Sequence, residues 1–235
     1  MATYVLVHGA WHGGWVWRWV RKLLEQNNHQ VFTPTMAGLG ERAQLMSKNL
    51  SIDTLVTDIE NNLRDEELQD VILVGHSFGG VVISGVAERL PSRIKQLIYL
   101  DAVVLEDGES IFDCMHPNIV SERKKLANES SNGMSLPIPS AEDLGIFDDS
   151  QWEFVKQRLT PQPLSTYSTP LTLKQLPGEG KPCTYIVCTN PSYLPLQWAR
   201  KRVEGYGWPI IPIESGHDAM ISAPEALSKI LMEMP

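Results

Sequence analysis

Three cysteines, Cys114, Cys183 and Cys188, are all that this 235-residue chain carries, an odd number with no C-x-x-C spacing. A disulfide framework and a zinc ribbon are both excluded, and three buried, reduced thiols are expected. Positive charge is also short: 20 Lys and Arg stand against 28 Asp and Glu, a formal charge of -8. Nucleic-acid binding needs the opposite surplus to neutralise phosphates, so it is set aside. No apolar run reaches the roughly 18 to 20 residues that span a bilayer, and the opening Met-Ala-Thr-Tyr-Val-Leu-Val-His enters a strand-like run without a basic leader. The expectation is a soluble, cytoplasmic protein with no membrane partner. Internal repeats and low-complexity tracts are lacking as well, which leaves one domain around one core.

Short apolar runs recur at Tyr4 to His8, Gln30 to Thr33, Val71 to Gly75, Ile94 to Leu100, Thr184 to Cys188 and Pro209 to Ile213. Nearly continuous hydrophobicity of this kind marks parallel strands covered on both faces. Helical patterns fall between most of them. Ile52, Leu55, Val56, Ile59 and Leu63 follow helical spacing behind Ser51, which is placed as an N-cap. Ser222 and Glu225 predict a capping box opening the last helix. Alternating strand and helix predict an α/β fold, a mostly parallel sheet of about six strands flanked by helices. The alternation breaks over 105–180, where Pro and Ser clusters replace strands. Structureless loops of that length are uncommon in compact domains, so this segment is read as a helical cap inserted into a core of 1–104 and 181–235. Gln151 to Leu159 is its clearest helix.

Gly75-His76-Ser77-Phe78-Gly79 reads G-x-S-x-G, a weak match by itself. Its setting is specific, because Val71 to Val74 form a strand just before it and Val81 to Ala87 a helical run just after. A sharp strand-to-helix turn exposes Ser77 as a nucleophile, and flanking glycines are needed where a side chain would meet the facing backbone. A Ser hydroxyl reacts poorly until a base takes its proton, so a downstream His is required. His217 leaves the last strand just before the final helix, where such a base belongs. His116, followed by Pro117, is the other candidate, more in keeping with the cap or the surface. Two N-H donors are needed for the oxyanion: Phe78, directly after the nucleophile, and Ala10, from the Gly-rich loop His8 to Gly14. His8 and His12 lie in that loop without a neighbouring carboxylate, a poor metal cage, so they are read as structural and no metal is expected. Of Trp11, Trp15, Trp17 and Trp19, Trp11 lies nearest the oxyanion donor and is placed in the pocket, the rest in helix packing.

These motifs resemble the α/β-hydrolase superfamily, through Val-His-Gly-Ala-Trp-His-Gly-Gly-Trp, Gly-His-Ser-Phe-Gly-Gly, Tyr185 to Thr189 and the Gly216-His217 pair. The branch that looks nearest holds small esterases similar to plant methylesterases and hydroxynitrile lyases. The likeness covers both core segments and is loose in the insertion. It implies cofactor-free hydrolysis of a small ester beneath a helical cap. Within the insertion, Phe112, Met115 and Trp152 are expected either to supply apolar contacts to the substrate or to form the cap's own small core.

Plant members of this branch carry an acid just after the strand matched by Thr184 to Cys188, yet this chain has Thr189-Asn190-Pro191-Ser192-Tyr193 there. Other members of the superfamily place the acid after the preceding strand, which here is Asp101. A carboxylate at the end of a buried strand is otherwise unexplained, so Asp101 is the expected partner of His217, with a degenerate dyad helped by Asn190 or Ser192 as the alternative. Glu106 and Asp107 read as the solvated start of the insertion. Two competing functions remain: a lyase, for which Asp218 stands where such lyases carry a Lys and Gly9 where they carry a Thr, and a non-catalytic small-ligand receptor. Oligomeric state, with a homodimer as one option, is open.

Overall fold

Thr-Tyr-Val-Leu-Val, one polar side chain and four apolar ones in a row, forms β1 (Thr3–Val7), whose last four residues are fully covered. The chain is described here by a computed structural model over residues 1–234. It continues through β2 (Gln30–Phe32), β3 (Val71–His76) and β4 (Ile94–Leu100), a two-residue pair β5 (Ser135–Leu136) and β6 (Gln162–Pro163), then β7 (Cys183–Cys188) and β8 (Ile210–Ile213). Apart from the β5–β6 pair, these strands make one sheet in the order β2-β1-β3-β4-β7-β8, parallel throughout.

Helices α1 (Arg18–Gln26), α2 (Ile52–Asp65) and α3 (Gly79–Arg89) connect the first four strands. The path runs outward from β1 to β2 and then back past β1 to β3. Right-handed crossovers therefore put α1 on one face and α2 and α3 on the other. In α2, Ile52, Leu55, Val56, Ile59 and Leu63 are the buried residues, and Ser51 caps it by accepting from the Thr54 N–H at 3.1 Å. The reversal of strand order beside β1 opens a crevice at the carboxyl ends of β1 and β3, the usual binding place in such sheets.

Between β4 and β7 lie α4 (Pro117–Ser131), α5 (Ala141–Leu144), α6 (Asp149–Lys156) and α7 (Ser165–Ser168), followed after β7 by α8 (Gln197–Gly205), α9 (Ala219–Ser222) and α10 (Pro224–Met232). Trp15 and Trp19 reach from the first core segment to Phe154 on α6, at ring distances of 5.8 and 4.7 Å, and so hold the inserted helices down.

Several local expectations are corrected. The insertion does contain strand, because β5 and β6 pair antiparallel, too short to show a period of two. Ser222 caps nothing at α10; it ends α9, where its hydroxyl meets that of Ser215 at 2.6 Å, and Ala223 is the residue before α10. Strand β8 is an edge, so Ile210 is exposed rather than covered on both faces, and Pro212 is tolerated there because it need not donate outward. Cys114 is half-buried, whereas Cys183 and Cys188 are buried. Glu106 and Asp107 are not merely solvated: Glu106 accepts from the Tyr206 hydroxyl at 2.6 Å and Asp107 from the Leu173 N–H at 2.8 Å.

Candidate active site

Strand β3 ends at His76, and the chain turns into α3 within two residues, which forces Ser77 to a φ of 52°. That is the left-handed region, costly for a residue with a Cβ and held only where its surroundings over-determine it. The surroundings do so through glycine: a Cβ on Gly75 would sit 2.7 Å from the Gly79 carbonyl oxygen, and one on Gly79 would sit 2.7 Å from that of Val7. Only glycines let the elbow close against itself and against β1.

The same tightness brings the Gly-rich loop to the elbow, since a Cβ on Gly9 would lie 3.0 Å from the Ser77 Cβ and 2.8 Å from His76 Nδ1. The Ala10 and Phe78 N–H groups donate to no protein acceptor among the described residues. Both are left without a protein partner, Phe78 directly after Ser77 and Ala10 directly after Gly9.

His217 arrives on the loop after β8, with Nε2 2.9 Å from Ser77 Oγ and Nδ1 2.8 Å from Asp101 Oδ2. A carboxylate only accepts, so Nδ1 carries the hydrogen and the Nε2 lone pair faces the Ser77 hydroxyl. The Tyr193 ring stacks on His217 at 3.9 Å and fixes its plane. Asp101, fully buried at the end of β4 with a φ of 40°, also accepts from Arg200 Nη2 at 2.8 Å. Arg200 further donates to Ser192 Oγ and to the Tyr193 carbonyl. The turn after β7 thus presents no acid to His217 but anchors the guanidinium that braces one supplied by β4. Asn190 is exposed, and Ser192 faces Arg200, so neither meets the imidazole. His116 caps α4, accepting from the Asn118 N–H at 3.3 Å on the surface.

One space opens beside Ser77, and a second shares part of its wall. A cavity of about 30 Å³, room for roughly two waters, is lined by Trp11, Phe78, Ile111, Met115, Tyr167 and Trp198 around the hydroxyl. An outer one of about 400 Å³ has a mixed wall, with Ile119, Leu126, Leu136, Ile138 and Leu144 beside the charged Glu122, Arg123 and Asp143. Trp11, Arg123, Tyr193 and Pro195 border both, so the two spaces are neighbours separated by these side chains. Phe112 and Trp152 are not on either wall: Phe112 packs on Tyr167 at 5.7 Å, and Trp152 is half-buried on α6.

A model of the alpha/beta hydrolase family matches residues 4–230. The chain belongs to that family. It is 38% identical over 240 residues to a carbendazim hydrolyzing esterase of Nocardioides sp. (strain SG-4G), spanning 98% of both chains. It is 26% identical over 259 residues to methylesterase 2 of Arabidopsis thaliana, spanning 97% of this chain and 94% of that one. An extracellular alpha/beta-hydrolase from a Paenibacillus species, described as sharing structural and functional homology with tobacco salicylic acid binding protein 2, superposes with a TM-score of 0.84. That pair is 26% identical and covers 99% of this chain and 98% of the other. No helix of this hydrolase is long and apolar enough to cross a membrane among the described residues.

Sequence reasoning missed a buried group behind His217. Asp218 does not stand in the pocket as an anion in place of a lyase cation; it is wholly buried and bonded to His12. His8, in contrast, is a neutral ring: Nδ1 donates to the Gly9 carbonyl at 2.8 Å, and Nε2 accepts the Met36 N–H at 3.1 Å. Burial pushes His8 down to about 3, despite the Gly9 hydrogen bond. An unfolded His takes up a proton near pH 6.5, so the unfolded hydrolase binds the extra proton between those values. The contribution of His8 is present above pH ~6.5 and is lost as pH falls, by about 1.4 kcal/mol per pH unit. Urea unfolding of the wild type and of His8→Asn from pH 7.5 to 5 checks this; equal pH slopes would show that His8 does not stay neutral.

Proposed function

We propose that the protein is a serine carboxylic-ester hydrolase, acting on small, largely apolar esters through an acyl-enzyme and without a cofactor. The Ser77–His217–Asp101 geometry carries this reading. His217 Nε2 takes the Ser77 proton as Oγ attacks the ester carbonyl, and the Ala10 and Phe78 N–H groups stabilise the oxyanion. The imidazolium, held by Asp101, then returns the proton to the departing alcohol. Water, activated by the same nitrogen, releases the acid and restores Ser77. The esterase named among the relatives supports the reaction class, and the aromatic and aliphatic wall of the inner cavity supports an apolar group beside Ser77.

The lyase reading loses its ground at Gly9, where any side chain would crowd His76 and Ser77. The receptor reading is opposed by a nucleophile and base already within hydrogen-bond distance. Turnover of short-chain, aryl and methyl esters and of lactones, together with one phosphonate label on Ser77, is the expected result. A label elsewhere, with Ser77 untouched, ends the proposal.

Met115 lies on the inner wall and limits what fits beside Ser77. Met115→Ala is expected to favour longer chains over acetate by about tenfold in kcat/KM, since a methylene or two in an apolar pocket discriminates by roughly that much. A chain-length series with Ser77 labelling as control reads this out. An unchanged ranking would place the specificity pocket elsewhere.

A further inference from the structure

His12 takes no part in the proposed proton transfers, yet both of its ring nitrogens are engaged in a fully covered setting. Nδ1 lies 2.6 Å from the Ala10 carbonyl oxygen, and Nε2 lies 3.0 Å from Asp218 Oδ2, with side-chain exposures of 1% and 0%. A carbonyl oxygen can only accept, so Nδ1 bears a hydrogen. An ionised carboxylate can only accept, so Nε2 bears another. A ring with two hydrogens is an imidazolium. We propose that His12 and Asp218 form a buried imidazolium–carboxylate pair that positions the Ala10 loop and the His217 loop against each other for the reaction at Ser77.

The pair joins three segments. His12 belongs to the loop after β1, which carries the proposed oxyanion donor Ala10 two residues earlier, and its Nδ1 bond closes the turn in which Trp11 takes a φ of 64°. Asp218 follows His217 directly, and its other oxygen lies 3.6 Å from His76 Nε2. His76 precedes Ser77 and donates from that nitrogen to the His217 carbonyl at 3.1 Å. Burial holds His76 well below its ordinary value, and its Nδ1 meets no partner among the described residues, in keeping with a neutral ring.

Burial alone would push His12 down; the charge of Asp218 and its hydrogen bond outweigh it and hold His12 above its ordinary value. Burial would raise Asp218, and His12 outweighs it in the same way. The other titratable groups facing the pair are His8, His76, His217 and Cys188, with no Lys or Arg among them. Buried ion pairs contribute little net stability compared with well-packed apolar residues, so the consequence of this one is placement. His12 and Asp218 are positioning residues, since neither lines the cavity around Ser77.

The proposal rests on the serine-hydrolase reading for its effect on turnover, but not for its proton count. The test uses the full-length protein with ¹⁵N-labelled histidines, assigned by single His→Asn variants. At pH 7.5, His12 is expected to show two protonated ring nitrogens in the wild type and in Ser77→Ala, and a neutral ring in Asp218→Asn. The amide that replaces the carboxylate can donate to a neutral Nε2, so Asp218→Asn keeps the shape and removes the charge. On a chromogenic ester, Asp218→Asn and His12→Asn are expected to lower kcat by about 10- to 100-fold, the range expected from small misplacement, with KM within about twofold. The rate of phosphonate labelling of Ser77 falls in parallel. A neutral His12 in the wild type overturns the pair, even if a variant fails to fold. Folded variants with normal kcat overturn its positioning role. A wild type that neither turns over esters nor labels at Ser77 overturns the hydrolase reading while leaving the imidazolium measurable.

Discussion

Ser77→Ala is expected to lower kcat by about 10⁶-fold, and adding His217→Ala to it to cost almost nothing more. In the proposed mechanism the hydroxyl oxygen forms the acyl bond, and His217 serves only to move the proton of that hydroxyl and of the groups that replace it. Without Oγ at 2.9 Å from Nε2, the base has nothing to activate. Groups that act as one unit are therefore strongly non-additive, and the activity that survives, about 10³- to 10⁴-fold over water, comes from the oxyanion donors and from binding. Single-turnover assays of both single variants and the double variant read the effect directly. Losses that multiply would mean that Ser77 and His217 act independently. A His217→Ala protein with most of its turnover would move the base elsewhere, with His116 next to be tested.

The parts of this site that sequence reasoning reached share one property: local chain geometry dictates them. Ser77 needs a strand, two glycines and a helix, and all are written together between Val71 and Arg89. His217 follows from its place after the last strand. Asp101 followed from an empty turn and a charge at the end of a buried strand, and the structure sets it beside His217. What escaped depends on long-range meetings. His12 and Asp218 are 206 positions apart, and Arg200 meets Asp101 across 99. A histidine in a Gly-rich loop looks idle until the fold supplies its carboxylate. The cap was read least well for the same reason. Its pocket residues are chosen by tertiary packing, so Met115 reaches the wall while Phe112 turns to Tyr167. The Ser222 capping box failed because Ser215, brought alongside from the β8 loop, takes up the hydroxyl.

Asp101→Asn is expected to lower kcat by about 10⁴-fold, the loss typical of neutralising an orienting acid to its amide. The mechanism is specific to this site. Arg200 Nη2 donates to Asp101 Oδ1, and a guanidinium has no accepting atom, so an amide in this place must turn its oxygen toward Arg200. Its NH₂ group then faces His217 Nδ1, which can only accept from it. The imidazole is driven to the tautomer with hydrogen on Nε2, and that nitrogen can no longer take the Ser77 proton. The measurement is kcat for Asp101→Asn, with folding verified, beside Asn190→Ala and Ser192→Ala. Near-normal kcat in Asp101→Asn removes the acid's role, and a large loss in Asn190→Ala restores the degenerate dyad. An Arg200→Ala background separates charge from tautomer: with the guanidinium gone, the amide oxygen is free to accept from Nδ1–H, and the penalty for Asp101→Asn shrinks. If the penalty stays at full size there, loss of the negative charge beside the developing imidazolium, rather than the wrong tautomer, accounts for it.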